Sequence, residues 1–141
     1  MSKILKDRAE VKVRFGEVDS MGIVWHGNYV KYIEEGRESF GKTFGFSYLD
    51  IYANNLMAPV VNMNIDFKKQ VRYGDTLIVE TEFVDTLSAK IKFDFKVYRK
   101  SDNVLVATAQ STQVFIDMDH EMLLYPPDFA IKWKRKFGLI E

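Results

Sequence analysis

The stretch GIVWHGNYVKYIEEG, residues 22–36, changes character halfway along. Up to Gly27 the apolar residues have no period. From Asn28 onward Tyr29, Tyr32, Ile33, Gly36 and Phe40 fall three or four apart and make one helical face, with Lys31, Glu34, Glu35, Arg37 and Glu38 largely outside it. Asn28 suits the N-cap, where its side chain would accept from a free amide of the first turn. Gly36 on the apolar face costs about 1 kcal/mol of helix propensity, and the expected compensation is close approach of the helix to a sheet. The helix is predicted to end within GKTFGF, where Gly41 and Gly45 read as stop signals.

Around this helix the chain reads mostly as strand. Upstream, EVKVRFGEVD (10–19) alternates, with Val11, Val13 and Phe15 on one face and Lys12 and Arg14 on the other. Downstream, APVVNMNIDFKKQV (58–71) reads as a strand and RYGD (72–75) as a turn. TLIVETEFVDT (76–86) alternates in part. AKIKFDFKVYRK (89–100) alternates cleanly, with Ile91, Phe93, Phe95 and Val97 together. NVLVATAQSTQVFID (103–117) follows a hairpin turn at SDN. PPDFAIKWKRKF (126–137) suits a short helix with proline in its first turn. Phe129, Ile131, Trp133 and Phe137 are expected inside and Lys134, Arg135 and Lys136 on an exposed face. No strand–helix–strand alternation occurs, so the class is α+β with a mostly antiparallel sheet. One helix would cover one face, and apolar groups expected on the other face suggest dimerisation.

The 141 residues suit one domain, 1–141, and 47% hydrophobic with 28% charged residues indicate a packed core. A formal net charge of +0 argues against a general nucleic-acid binder. The absence of cysteine removes disulfides, thiolate nucleophiles and cysteine-based zinc sites, and two histidines, His26 and His120, do not suggest a multi-histidine metal site. No apolar run is long enough for a signal peptide or a membrane span, so a cytoplasmic location is expected.

The chemistry-bearing segment is Glu17–Asn28 with the start of the helix. A helix N-terminus offers free N–H groups and a partial positive charge, which can polarise a carbonyl and stabilise an oxyanion. Asp19 is near enough in sequence to approach the same carbonyl and either activate water or attack directly. His26 would orient substrate, donate a hydrogen bond or assist the leaving group. The residues alone leave other readings open: Asp19 also suits a turn, His26 a hydrogen-bonded structural group, Tyr29 core and Trp25 packing.

The run VRFGEVDSMGIVWHGNYVKYIEEGRESF (13–40) resembles the opening of the 4-hydroxybenzoyl-CoA thioesterase-like proteins, acyl-CoA thioesterases of the hot-dog fold. The matching positions are Asp19, Gly22, Ile23, Val24, Trp25, His26, Asn28 and Tyr29, and APVVNMNIDFKKQVRYGDTLIVET (58–81) extends the likeness. Ser20 and Met21 depart from the small residue or proline that many relatives carry after the aspartate.

The resemblance implies a curved antiparallel sheet wrapped around one long helix, and a homodimer or homotetramer with sites at the subunit interface. It implies Asp19 as catalytic carboxylate, backbone amides of His26 and Gly27 as oxyanion hole, a role for the His26 side chain, and Tyr29 supporting the pocket. Thioester hydrolysis of this kind needs no cofactor, coenzyme A being part of the substrate. Its phosphates would meet cations drawn from Lys68, Lys69, Arg72, Lys90, Arg99 and Lys100, each of which also reads as solvated surface. Val61, Met63, Met57 and Phe40 would shape the acyl pocket. Competing functions are an acyl carrier protein thioesterase, a non-catalytic acyl-thioester binding or scaffold protein, and a dehydratase, whose sequence pattern the chain lacks.

Overall fold

The computed structural model describes residues 4–140; residues 1–3 and 141 of the expected domain lie outside the described residues. Five strands, β1 (Lys6–Lys12), β2 (Val60–Phe67), β3 (Thr76–Val84), β4 (Lys90–Arg99) and β5 (Val104–Val114), form one curved sheet in the order β1-β3-β4-β5-β2, every pairing antiparallel. The long helix α1 (Tyr29–Phe44) lies on the inner face, against β1 and β3. A short helix α2 (Tyr48–Tyr52), absent from the sequence reading, follows it, and α3 (Asp128–Lys136) closes one end.

The periodicities account for this layering. Ile91, Phe93, Phe95 and Val97 all point inward and are buried, beside Leu77, Val79 and Phe83 of β3. Gly36 lets α1 settle on them: a Cβ there would stand 2.4 Å from Val79 Cγ1, so only glycine permits this approach. Gly45 caps α1 in the left-handed conformation at φ 72°. Gly41 is not a stop; it lies inside α1, with the backbone of Ser47 packed against it.

Several expectations change once the packing is formed. Phe15 leaves the strand alternation for a 3-10 turn (Phe15–Glu17) and is exposed, its ring edge-on to Tyr73. Phe40 is core, enclosed by Phe83, Phe93 and Trp133, and shapes no pocket. Arg37, assigned outside the apolar face, is buried. Its Nε donates to Gln113 Oε1 at 2.9 Å, and its plane lies on the rings of Phe93 and Tyr48. Burial holds its pKa below the usual arginine range. Gln113 in turn donates to the carbonyl of Ala58, tying helix, sheet and the entry to β2 together. Lys134, expected outside, is buried with Nζ 2.7 Å from Thr86 O and 2.9 Å from Asp85 Oδ1.

The outer sheet face is polar where apolar groups were expected. Lys92 and Lys96 of β4, Gln110 of β5 and Asn62, Asn64 and Asp66 of β2 occupy it. Within the strands the exposed large apolar side chains are those of β2, a sheet edge, at Val60, Val61 and Phe67. No helix among the described residues is long and apolar enough to cross a membrane.

Candidate active site

Residues 17–24 fold as a small hairpin. Val18 bridges Val24, Asp19 N donates to Ile23 O at 2.8 Å, and Gly22 N returns to Asp19 O at 3.0 Å. The hairpin is docked on the turn before β3: Val24 N donates to Val71 O, Tyr73 N donates to Gly22 O, and Ile23 bridges Arg72. At its tip Asp19 is exposed, and its Oδ1 accepts from Met21 N at 2.8 Å and Ile23 N at 3.2 Å. The aspartate is therefore a turn former, and one of its oxygens is spent on the turn. Oδ2 has no hydrogen-bond partner among the described residues. The side chain is held at one oxygen and presents the other.

The chain enters α1 through a 3-10 turn, His26–Asn28. Asn28 does not cap the helix. Its Nδ2 donates backward to Glu17 O at 2.8 Å, so its side chain is a donor to the hairpin rather than an acceptor for the helix. The amides of Asn28 and Tyr29 bond to Trp25 O and His26 O, whereas those of His26 and Gly27 have no acceptor among the described residues. Two N–H groups at the positive end of a 16-residue helix are thus left unpaired. Trp25, read as a packing residue, is 58% exposed while its indole packs across Gly27, where a Cβ would come within 2.1 Å of it, and beside the His26 ring at 5.0 Å.

Beside this helix start a cavity of about 280 Å³ is walled by Ile23, Val24, His26, Tyr29 and Phe67 and rimmed by Lys68, Lys69 and Gln70. Tyr29 is buried, with its ring edge-on to Phe67 at 4.8 Å, and burial pushes its hydroxyl pKa up. The His26 ring meets Phe67 edge-on at 6.3 Å. Asp19 is not part of this lining.

The structure sorts the remaining site residues. Lys68 lies at the cavity with Lys69. Arg72 is exposed on the adjoining turn, its amide donating to Asp75. Val61 and Met63 lie on β2 outside the lining, Val61 exposed and Met63 half-buried. Lys90 begins β4 at the end remote from this site and lines a separate depression with Phe83 and Trp133, so one chain does not bring it here. Arg99 is engaged with Asp102 and Gln70 O, and Lys100 with Glu10. Sequence reasoning missed Phe67, an inward position of β2, and Glu17, whose neighbours only the folded loop reveals. A polar depression of about 250 Å³ between β2, β5 and β4 opens on the outer face, away from the hairpin.

The pattern of the "Thioesterase-like superfamily" matches residues 13–133. The chain is 34% identical over 112 residues to "Putative acyl-CoA thioesterase YneP" of Bacillus subtilis (strain 168), covering 79% of this chain and 80% of that protein. It is 23% identical over 124 residues to an acyl-acyl carrier protein thioesterase, ATL3, of Arabidopsis thaliana, covering 88% and 65%. The crystal structure of a DHNA-CoA thioesterase from Staphylococcus aureus superposes with a TM-score of 0.79 at 23% identity, covering 96% of this chain and 97% of that one. That last likeness concerns the fold, which is the hot-dog fold.

Proposed function

The chain belongs to the thioesterase-like superfamily and is a thioester hydrolase, and from that premise we propose that it hydrolyses an acyl-CoA to the free acid and coenzyme A, with Asp19 as the reactive carboxylate. The observation that carries the proposal is the half-engaged state of Asp19. Two amides fix one oxygen while the other stays available, on a hairpin that leads directly into the unpaired amides of His26 and Gly27.

As general base, Asp19 takes a proton from water as the water oxygen attacks the thioester carbonyl. The carbonyl oxygen becomes an oxyanion and accepts hydrogen bonds from His26 N–H and Gly27 N–H, an interaction stronger in the transition state than in the ground state. Collapse breaks the C–S bond, and the departing thiolate takes up the proton held by Asp19. As nucleophile, Asp19 attacks the carbonyl and expels the thiolate, leaving an anhydride that water cleaves. His26 orients the thioester from the cavity wall, Tyr29 and Phe67 support the acyl side, and Lys68 and Lys69 meet the phosphates, with Arg72 adjoining. No cofactor is required by either route.

We place the enzyme in the cytoplasm as a homodimer or homotetramer. The exposed apolar residues Val60, Val61 and Phe67 on edge strand β2 support a second copy at that edge, which would bring Val61, Met63 and the partner's cations nearer a shared site. Acyl carrier protein as the thiol carrier is the second reading, favoured by the likeness to the Arabidopsis enzyme.

Thiol release from acetyl-, hexanoyl-, palmitoyl- and benzoyl-CoA, beside hexanoyl carrier protein, tests both. We expect turnover of at least one coenzyme A ester and a drop of about a thousandfold in kcat for Asp19→Asn with folding retained. Full activity in Asp19→Asn refutes the mechanism, turnover of the carrier substrate alone selects the second reading, and binding without release anywhere identifies a non-catalytic protein.

A further inference from the structure

We infer that Glu17 is the positioning residue of this site, locking the Asp19 hairpin and the His26–Gly27 amide pair into one rigid unit; this rests on the role proposed above for Asp19. Glu17 lies outside the cavity lining and touches none of the reacting groups, so its action is through others.

Its carbonyl oxygen accepts from two donors that bracket the amide pair. Trp25 N, immediately before His26, stands at 3.1 Å, and Asn28 Nδ2, immediately after Gly27, at 2.8 Å. Both ends of the 25–28 arc are therefore gathered on one acceptor atom, and the orientation of the His26 and Gly27 amides follows the peptide plane of Glu17. In the other direction Glu17 leads into Val18, whose bridge to Val24 founds the hairpin, and then into Asp19. One residue thus connects the carboxylate and the oxyanion donors, beside the direct bonds between Asp19 and Ile23.

The side chain fixes that peptide plane. Glu17 is buried, and its Oε1 accepts from Arg14 N at 2.8 Å and from the hydroxyl of Tyr32 at 3.0 Å. Tyr32 is buried in the first turn of α1, so the carboxylate pins the hairpin to the helix whose N-terminus supplies the donors. A buried carboxylate is tolerated only when hydrogen bonds replace its hydration, and these two bonds anchor opposite sides of the loop. Misplacing a reacting group by about 1 Å can cost a hundredfold in rate, which sets the scale for losing the anchor.

The test compares Glu17→Ala, Glu17→Gln, Tyr32→Phe and Asp19→Asn on the coenzyme A ester that the wild-type protein releases fastest, with thermal unfolding of each. Glu17→Gln keeps an oxygen acceptor for Arg14 N and Tyr32 OH. We expect kcat to fall about 30-fold in Glu17→Ala and about fivefold in Tyr32→Phe, with KM within a factor of three. Glu17→Gln should restore kcat to within threefold of wild type. If Glu17→Ala does not fold, Tyr32→Phe and Glu17→Gln decide the matter. An unchanged kcat in Glu17→Ala or Tyr32→Phe, a Glu17→Gln variant as slow as the alanine, or losses shared equally by kcat and KM each overturn the positioning role. Only activity retained in Asp19→Asn, or no release from any ester, strikes the hydrolytic reading itself.

Discussion

Glu17 and Asp19 stand two residues apart in the sequence EVD and occupy opposite environments. Glu17 is buried, with Oε1 shared between a backbone amide and a tyrosine hydroxyl on the helix. Asp19 is exposed, and its bonds are confined to the turn it makes for itself. The same functional group is an anchor in one place and available for chemistry in the other. The difference arises because the chain leaves the 3-10 turn Phe15–Glu17 through an extended Val18 and reaches the exposed hairpin tip at Asp19. Acids so arranged separate the two costs of a site: one stabilises the loop, the other is left incompletely satisfied.

Four outcomes sharpen or break this contrast. The largest concerns the amides of His26 and Gly27. Gly27→Ala pushes a methyl into the Trp25 indole and should lower kcat about 30-fold by tilting the amide pair, less than the roughly hundredfold or more that removing an oxyanion donor outright costs. Combining it with Trp25→Ala should recover part of the loss, and a double-mutant cycle without coupling contradicts the steric account.

Stability should run the other way from activity. Urea unfolding is expected to show Glu17→Ala destabilised by about 2 kcal/mol, because charge-assisted bonds are lost and Tyr32 is left without an acceptor. Asp19→Ala should cost about 0.5–1 kcal/mol, an exposed turn bond being replaced by water. Equal costs would erase the distinction between the two acids.

The Glu17–Tyr32 contact also has an alkaline signature. Burial, and then the bond to Glu17, raise the Tyr32 pKa in the folded protein, so the native state holds its phenolic proton where the unfolded chain releases it. Stability should therefore fall as pH rises above about 10, the ordinary tyrosine value. Tyr29 and Tyr48 share this behaviour, so Tyr32→Phe should make the decline shallower rather than abolish it. Melting temperatures between pH 9 and 11 decide the point.

The smallest effect lies at a third acid. Glu34 is half-buried, 3.5 Å from the Tyr48 hydroxyl, and burial raises its pKa despite the counteracting Arg37 charge. A raised carboxyl pKa means the folded state binds the proton more tightly, so this group's contribution to stability declines as pH rises through its titration. Glu34→Gln removes that decline, so stability should rise more steeply, or fall less steeply, as pH rises past the ordinary glutamate value of about 4.3; a more negative slope in the variant contradicts the sign.

Much of the layering was legible from single residues. The period of Tyr29, Tyr32, Ile33, Gly36 and Phe40 marked the helix, Gly36 its close approach, and the alternation of β4 its buried face. Burial was misjudged where long side chains reach past their own position. Arg37 and Lys134 are charged, and polarity alone sends them outward, yet Thr86 O and Asp85 receive the Lys134 ammonium, while Arg37 donates through Nε to Gln113 and rests on the rings of Phe93 and Tyr48, with Nη1 and Nη2 buried and without a hydrogen-bond partner. Phe15 failed for the complementary reason, the chain leaving strand geometry before its turn in the alternation came.

The sequence by itself determined the order of the strands, the long helix and the closing helix, because these follow from local periodicity, and it marked residues 17–28 as the segment to which a family resemblance attaches chemistry. Tertiary structure decided which acid is anchored and which is exposed, that Asn28 serves Glu17 rather than the helix, and which lysines of the cationic set reach the cavity. Those outcomes depend on hydrogen bonds between Glu17 and Tyr32, or on strands meeting at one sheet end, contacts whose partners are far apart along the chain and leave no periodic trace in it.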